Sequence, residues 1–273
     1  GHGDLFIQTW SGIDKYFPKI DFPYSWIVNE SQGEEFFNKQ INSLDKEILE
    51  SIGGIIIETF QGWGACTYPL SFIKAIEKYC KQNNILMIFD EMQSGFYRTG
   101  KKFGFQHYEV SPDLICMGKG MGGGFPISGI AGKSHLLDTA KKGELSSTHT
   151  ANPIGCACGK AVIDVMSSKY FINNLEEISK EFCSRGYYLS EKYEILKTRS
   201  NFFGLVGALV FDKDSCLDTV ELANKFCEIC LQKGLLVIKT GLESVKLAPP
   251  LTIDKRGINK AFKIMESTLE ELI

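Results

Sequence analysis

Two short apolar runs constrain the fold of this chain more than any other feature. The unbroken hydrophobicity of residues 85–89 predicts a buried strand, and residues 113–117 predict a second one. A helical pattern over 71–83 precedes the first strand, and a third apolar run, 55–57, precedes that helix. The order strand, helix, strand implies right-handed crossovers, so the sequence predicts an α/β fold with a mostly parallel sheet.

A carboxylate and an amine follow the two strands. Asp90 directly follows the first strand, and a carboxylate in that position usually faces a site. Lys119 follows the second strand in a glycine-rich loop whose backbone can approach a ligand closely. Alone, such an aspartate is usually a cap or turn residue, and such a lysine is usually solvated. Together they are typical of Schiff-base chemistry on pyridoxal phosphate. There the acid keeps the ring nitrogen protonated, and desolvation lowers the pKa of the amine.

The amino-acid sequences of both loops resemble those of a known family. The stretches DEMQSGFYRTG (90–100) and KGMGGGFP (119–126) resemble the class III, ornithine aminotransferase-like branch of the fold-type I pyridoxal phosphate enzymes. The resemblance implies a three-layer large domain with a mostly parallel sheet and a smaller C-terminal α+β domain. It also implies that Lys119 forms the Schiff base and that Asp90 pairs with the pyridine nitrogen. Met92 then packs on one face of the ring, and Gln93 reaches its phenolic oxygen.

A hydroxyl-rich segment, SSTHTANP (146–153), precedes an apolar helical stretch over 154–166. By composition these hydroxyls are helix caps or turn formers. The family has a serine-threonine-x-x-x-asparagine-proline segment that matches here. The resemblance therefore implies that Thr148 donates to the cofactor phosphate of a neighbouring subunit, so a homodimer is expected.

Two positions depart from the family pattern. Many members carry a glutamate where Trp63 stands and an arginine where Lys246 stands, in VKLAPPL (245–251), and these two residues form a switch between substrates. Lysine binds a carboxylate as a point charge and arginine binds it bidentately, so substrate-carboxylate recognition at Lys246 is expected to be weaker. The resemblance thus does not carry standard ornithine or acetylornithine specificity to this chain. A solvated lysine at a strand edge is the alternative for Lys246.

Composition narrows the class of protein. The net charge of −3 gives no electrostatic reason to expect nucleic acid or an anionic membrane as a partner. Nine cysteines at irregular spacings indicate free thiols in a reducing compartment. The pairs Cys156/Cys158 and Cys227/Cys230 have no matching partner pair, so packing is favoured over a metal site. Without a long apolar run or a signal-like start, the sequence favours the cytoplasm.

The composition of the chain changes near residue 170, where helical patterns rich in charged residues begin. We expect a cofactor-binding large domain over 1–170 and a small domain over 171–273. Further expected elements are helices over 34–51, 136–140, 174–196, 216–233 and 258–272, and strands over 127–132, 205–211 and 235–238. The chain opens on Gly1, without a methionine, where the family has an aromatic-His-Gly-His segment. The resemblance implies that this is the C-terminal two-thirds of such an enzyme, and His2 is expected to be structural.

The predicted function is a pyridoxal phosphate-dependent aminotransferase that moves an amino group between an amino donor and a keto or aldehyde acceptor. The first alternative is an aminomutase similar to glutamate-1-semialdehyde 2,1-aminomutase. It fits the start of the chain at Gly1 and the absence of the glutamate and arginine of the substrate switch at Trp63 and Lys246. The second is a catalytically incomplete fragment that keeps the fold. A nucleotide-binding module is disfavoured because the glycines around Lys119 do not have the dinucleotide spacing and no Ser or Thr follows the lysine.

Overall fold

The computed structural model describes residues 17–25, 27–62, 64–145, 147–197, 201–212, 218–241 and 243–273. The strands in these ranges are β1 (Gly54–Glu58), β2 (Phe60–Gln61), β3 (Cys66–Thr67), β4 (Leu86–Asp90), β5 (Leu114–Met117), β6 (Gly129–Gly132), β7 (Phe202–Phe203), β8 (Val206–Val210), β9 (Ile238–Thr240) and β10 (Ser244–Leu247). The α-helices are α1 (Gly33–Asn42), α2 (Lys46–Ser51), α3 (Leu70–Asn83), α4 (Ser134–Leu137), α5 (Pro153–Met166), α6 (Lys169–Lys192), α7 (Thr219–Gln232) and α8 (Lys255–Leu272). Short 3-10 helices cover Glu30–Gln32, Gly104–Tyr108 and Lys119–Gly122. None of the helices in the described ranges is long and apolar enough to cross a membrane.

The first sheet has the strand order β1-β4-β5-β6. Strands β1, β4 and β5 are parallel, and β6 runs antiparallel to β5. Helix α3 connects β1 to β4 and buries Phe72, Ile73 and Ile76 in one core with Phe37 and Phe89. The prediction of an α/β fold with a mostly parallel sheet is confirmed.

The second sheet is antiparallel, in the order β7-β8-β10-β9. Strand β8 is buried along its whole length because its two faces pack into different cores. Leu209 joins the core formed with helices α6, α7 and α8, whereas Ala208 and Val210 pack with Phe60 near the first sheet. Strand β8 therefore lies between the second sheet's own core and the end of the first sheet.

Several expected elements differ from those observed. The helix expected over 34–51 is two helices, because Ser43 ends the first one and Asp45 is extended. The helix expected from residue 174 begins at Lys169, where the Ser168 side chain accepts from the N–H of Phe171. The strand expected over 235–238 begins only at Ile238. The helix expected over 136–140 is a single turn at 134–137.

Strand β10 was not predicted, although it carries Lys246. It lies between β8 and β9, so the alternative of a strand-edge lysine is wrong. Lys246 is the register partner of Ala208, and residues directly opposite each other share one face of an antiparallel pair. Its side chain therefore lies on the face that packs towards Phe60 and the first sheet.

Candidate active site

The carboxyl ends of the three parallel strands form the floor of the site. Glu58 and Asp90 end β1 and β4 and are register partners, and Cys116 of β5 is the partner of Asp90 on the other side. The Asp90 side chain is half-buried, and its Oδ1 accepts the N–H of Met92 at 2.9 Å. Two carboxylates thus lie side by side where the chain leaves the sheet.

Glu91 fixes the loop that follows Asp90. It is fully buried, and each of its carboxylate oxygens accepts one hydroxyl and one backbone N–H. Oε1 accepts from Thr59 Oγ1 and Phe105 N, both at 2.7 Å, and Oε2 accepts from Ser94 Oγ at 2.7 Å and Gly104 N at 2.8 Å. Sequence reasoning missed this role, because nothing in the wording of the loop separates Glu91 from an exposed glutamate.

Met92 brings the Asp90 loop against the segment that carries Lys119. It packs on the buried Gly118, where an added Cβ would lie 2.5 Å from its sulfur atom. Lys119 opens a 3-10 turn with a φ of 45°, in the left-handed region that non-glycine residues seldom adopt. Its side chain is exposed, and it makes no hydrogen bond or ion pair within the described ranges. Burial of the amine, which the sequence interpretation included, is not observed in this single chain.

Helix α5 packs against the residues that follow Lys119. Two of its glycines are buried: Gly155 lies against the Phe125 ring, and Gly159 lies near the carbonyl of Met121. Thr148 lies ahead of this helix on an exposed turn. Among the described residues it makes no hydrogen bond to Asp90, Gln93 or Lys119, so the chain alone does not bring Thr148 into the cluster.

The side chain of Lys246 extends from strand β10 of the second sheet to the Asp90 loop. Its Nζ donates to Gln93 Oε1 at 2.6 Å and to the carbonyl of Gly62 at 3.0 Å. The N–H of Gly62 in turn donates to Glu58 Oε2 at 3.1 Å. The sequence named both Lys246 and Gln93, but the hydrogen bond between them follows only from the tertiary structure.

Three charged side chains, Asp90, Lys119 and Lys246, act on the ionisation of Glu58. Crowding by protein atoms raises the pKa of Glu58, although part of its side chain is exposed; the Gly62 N–H opposes this shift. The Asp90 carboxylate raises this pKa further, whereas Lys119 and Lys246 lower it. Burial lowers the pKa of Lys246, and the Lys119 charge acts in the same direction. Asp90 and Lys119 are therefore both close enough to Glu58 to affect its ionisation.

Glu58 is the site residue that sequence reasoning missed. The signal was available in the sequence, because Glu58 ends an apolar run in the same way as Asp90 does. Trp63 and His2 lie outside the described residues.

Comparison with known proteins identifies the family of this chain. The family model for class-III aminotransferases matches residues 8–269. The chain belongs to the class III aminotransferase family. Among curated members, the acetylornithine aminotransferase of Archaeoglobus fulgidus is 35% identical over 249 residues, covering 90% of this chain and 61% of that protein. The ornithine aminotransferase of Oceanobacillus iheyensis is 33% identical, covering 84% and 55%.

The fold of the class III chain also matches solved structures. The structure of Plasmodium falciparum ornithine δ-aminotransferase superimposes with a TM-score of 0.72 at 28% identity, over 83% of this chain and 58% of that one. The chain thus spans about three-fifths of the length of the family members it matches.

Proposed function

We propose that this chain is part of a pyridoxal phosphate-dependent aminotransferase. One observation carries the proposal: Met92 packs on Gly118, so the loop from Asp90 and the turn of Lys119 form one site at the carboxyl end of the sheet. Membership of the class III family supports the same function.

The donor set fits this cofactor. A carboxylate at Asp90 suits a protonated pyridine nitrogen, and an amide at Gln93 suits a phenolic oxygen. The unpaired, exposed amine of Lys119 suits an aldehyde. When bound, pyridoxal phosphate supplies an aldehyde that condenses with amines and a ring that withdraws electrons.

Each side chain then has a defined task. Lys119 would hold the cofactor covalently between turnovers, and once an amino substrate has displaced it, its released amine would move a proton at the substrate carbon. Asp90 keeps the ring nitrogen protonated, because a neighbouring carboxylate favours the charged form of that nitrogen. Met92 would lie against one face of the ring, and Gln93 would donate to its phenolic oxygen.

The proposed substrates are an amino donor and a keto or aldehyde acceptor. Relatives named acetylornithine, ornithine and 4-aminobutyrate aminotransferases support this substrate class. Trp63 and Lys246 are the proposed substrate-side residues. The Lys246 position in the cluster supports its place there.

The proposed working unit is a cytoplasmic homodimer in which Thr148 contributes to the neighbour's site. The exposed position of Thr148 supports this assignment, as do the exposed apolar residues Ile154 and Val165 on the helix behind it. The division into domains over 1–170 and 171–273 is proposed with it, supported by the separate cores of the two sheets.

The test is covalent capture of the cofactor. The purified chain is incubated with pyridoxal phosphate, its visible absorption is recorded, and borohydride is added before peptide mapping. We expect a visible band that borohydride abolishes and a stable adduct on Lys119; Lys119→Ala loses both, and Lys39→Ala, at an exposed position of helix α1, keeps both. A colourless wild-type chain, or an adduct elsewhere, would contradict the proposed function.

A further inference from the structure

A lysine from the second sheet holds the side chain of a residue in the cofactor loop. Lys246 lies on β10 with its side chain half-buried, and its ammonium contacts two other segments. One contact is Gln93 Oε1 at 2.6 Å, and the other is the Gly62 carbonyl at 3.0 Å. These contacts use two of the three N–H donors of the ammonium.

An amide that meets an ammonium can have only one orientation. A glutamine side chain ends in one acceptor oxygen and one NH₂ donor, and an ammonium has no acceptor. The oxygen of Gln93 must therefore face Lys246, and the reverse orientation would place donors against donors. The NH₂ end lies close to Gly62 and Glu58, because an added Cβ at Gly62 would be 2.8 Å from Gln93 Nε2 and 3.3 Å from Glu58 Oε1. The absence of a side chain at Gly62 thus leaves room for this orientation.

The contact belongs to a longer chain of hydrogen bonds. Glu58 accepts the N–H of Gly62, Gly62 accepts from Lys246, and Lys246 donates to Gln93. This series joins the end of β1, the loop after β2, the second sheet and the Asp90 loop.

We propose that Lys246 is a positioning residue that fixes the amide of Gln93, so that its NH₂ group is the end offered to the cofactor's phenolic oxygen. This inference rests on the proposed function and makes Lys246 act through Gln93. An N–H donor at that oxygen stabilises its deprotonated form and weakens its hold on the neighbouring Schiff-base proton.

The first experiment measures the contact without the cofactor. Unfolding by urea is followed for the wild-type chain, Lys246→Met, Gln93→Ala and the double variant. We expect the two substitutions to be coupled by about tenfold in the folding equilibrium constant, because a hydrogen bond to a charged group is lost only once. Coupling below about twofold would overturn the proposal. Lys197→Met is the matched control, since this partly buried lysine pairs with Asp212, and we expect no coupling to Gln93→Ala.

The second experiment reads the cofactor directly. The pH midpoint of the visible band is measured for the same variants after pyridoxal phosphate is added. Lys246→Met and Gln93→Ala should each raise the midpoint by about half a pH unit, which is threefold in the proton dissociation constant. The double variant should shift less than the sum, and Lys246→Arg should restore the wild-type midpoint because its guanidinium donates to the same oxygen.

The outcomes separate the two proposals. Additive midpoint shifts would show that Lys246 acts only through its charge, and an unchanged midpoint in Lys246→Met would show that it does not act through Gln93, whether or not the KM for the amino donor rises; either result overturns the positioning role. If Lys246→Met does not fold, Gln93→Glu is decisive. It keeps the acceptor for Lys246 but loses the donor, so stability should be retained while the midpoint rises, and an unchanged midpoint overturns the inference.

A wild-type chain without a visible band contradicts the proposed function, and the urea coupling still decides whether Lys246 holds Gln93.

Discussion

At the scale of single residues, the backbone of Lys119 carries strain that a different side chain can release. Its φ of 45° costs an L-residue about 1–2 kcal/mol, and glycine avoids this cost. We therefore expect Lys119→Gly to have a free energy of unfolding about 1 kcal/mol above that of Lys119→Ala, measured by urea denaturation without cofactor. Strain of this kind often occurs at functional sites.

Lys78 provides the opposite control, because it lies inside helix α3. There alanine is the better helix former, so Lys78→Gly should be less stable than Lys78→Ala by about 1 kcal/mol. If alanine were also the more stable replacement at position 119, the left-handed conformation would not be the native one.

The identities of Asp90, Met92, Gln93 and Lys119 could be taken from the sequence because the loops that carry them have a distinctive wording. The backbone conformation of Lys119 could not, since it depends on the packing of the following glycines against helix α5. Glu58 could have been found by the strand-end rule that identified Asp90.

At the scale of elements, the buried carboxylate of Glu91 determines the shape of the Asp90 loop. A glutamine at this position has one acceptor and one NH₂ group, and either orientation sets the NH₂ against the backbone N–H of Gly104 or Phe105. We expect Glu91→Gln to lower the free energy of unfolding by about 2–4 kcal/mol, because a buried donor is left without a partner. Thermal and urea unfolding would both measure this loss.

Glu35 is the matched control for this substitution, as it is exposed on helix α1. Glu35→Gln should change the free energy of unfolding by less than about 0.5 kcal/mol. A similar small change for Glu91→Gln would mean that the loop does not depend on the carboxylate.

Strands β1, β4 and β5 were predictable because their apolar residues form unbroken runs, although burial along them is uneven and Ile56 of β1 is 59% exposed. Strand β10 was not, because the polar residues Ser244 and Lys246 alternate with its apolar ones. The break in the helix expected over 34–51 was also hidden, since the apolar spacing continues past the turn at Ser43 and Asp45.

At the scale of the whole molecule, the relation between the two sheets decides whether Lys246 reaches Gln93. No periodicity in the sequence reports this relation, because it depends on contacts between residues 107 to 153 positions apart. Arg98 supplies several of them: its carbonyl accepts the N–H of Leu205 at 2.9 Å, and its Nη1 donates to the carbonyls of Leu205 at 2.8 Å and Pro249 at 2.6 Å. Burial lowers the pKa of the Arg98 guanidinium to about 10.

Gly204 lies against the backbone of residues 98–100 at this contact, and its substitution tests the alignment. It has a φ of 57°, and an added Cβ would collide with the backbone of Thr99 and Gly100. Gly204→Ala should therefore lower the free energy of unfolding by about 3 kcal/mol, from backbone strain together with the clash. Gly234→Ala shares the left-handed backbone but meets nothing within 4 Å, so it should lose only about 1 kcal/mol. Because the clash separates the sheets, Gly204→Ala should also weaken the urea coupling between Lys246 and Gln93, and Gly234→Ala should leave it unchanged. Equal losses of stability in both variants, with the coupling intact, would show that the contact at Gly204 does not align the second sheet with the site.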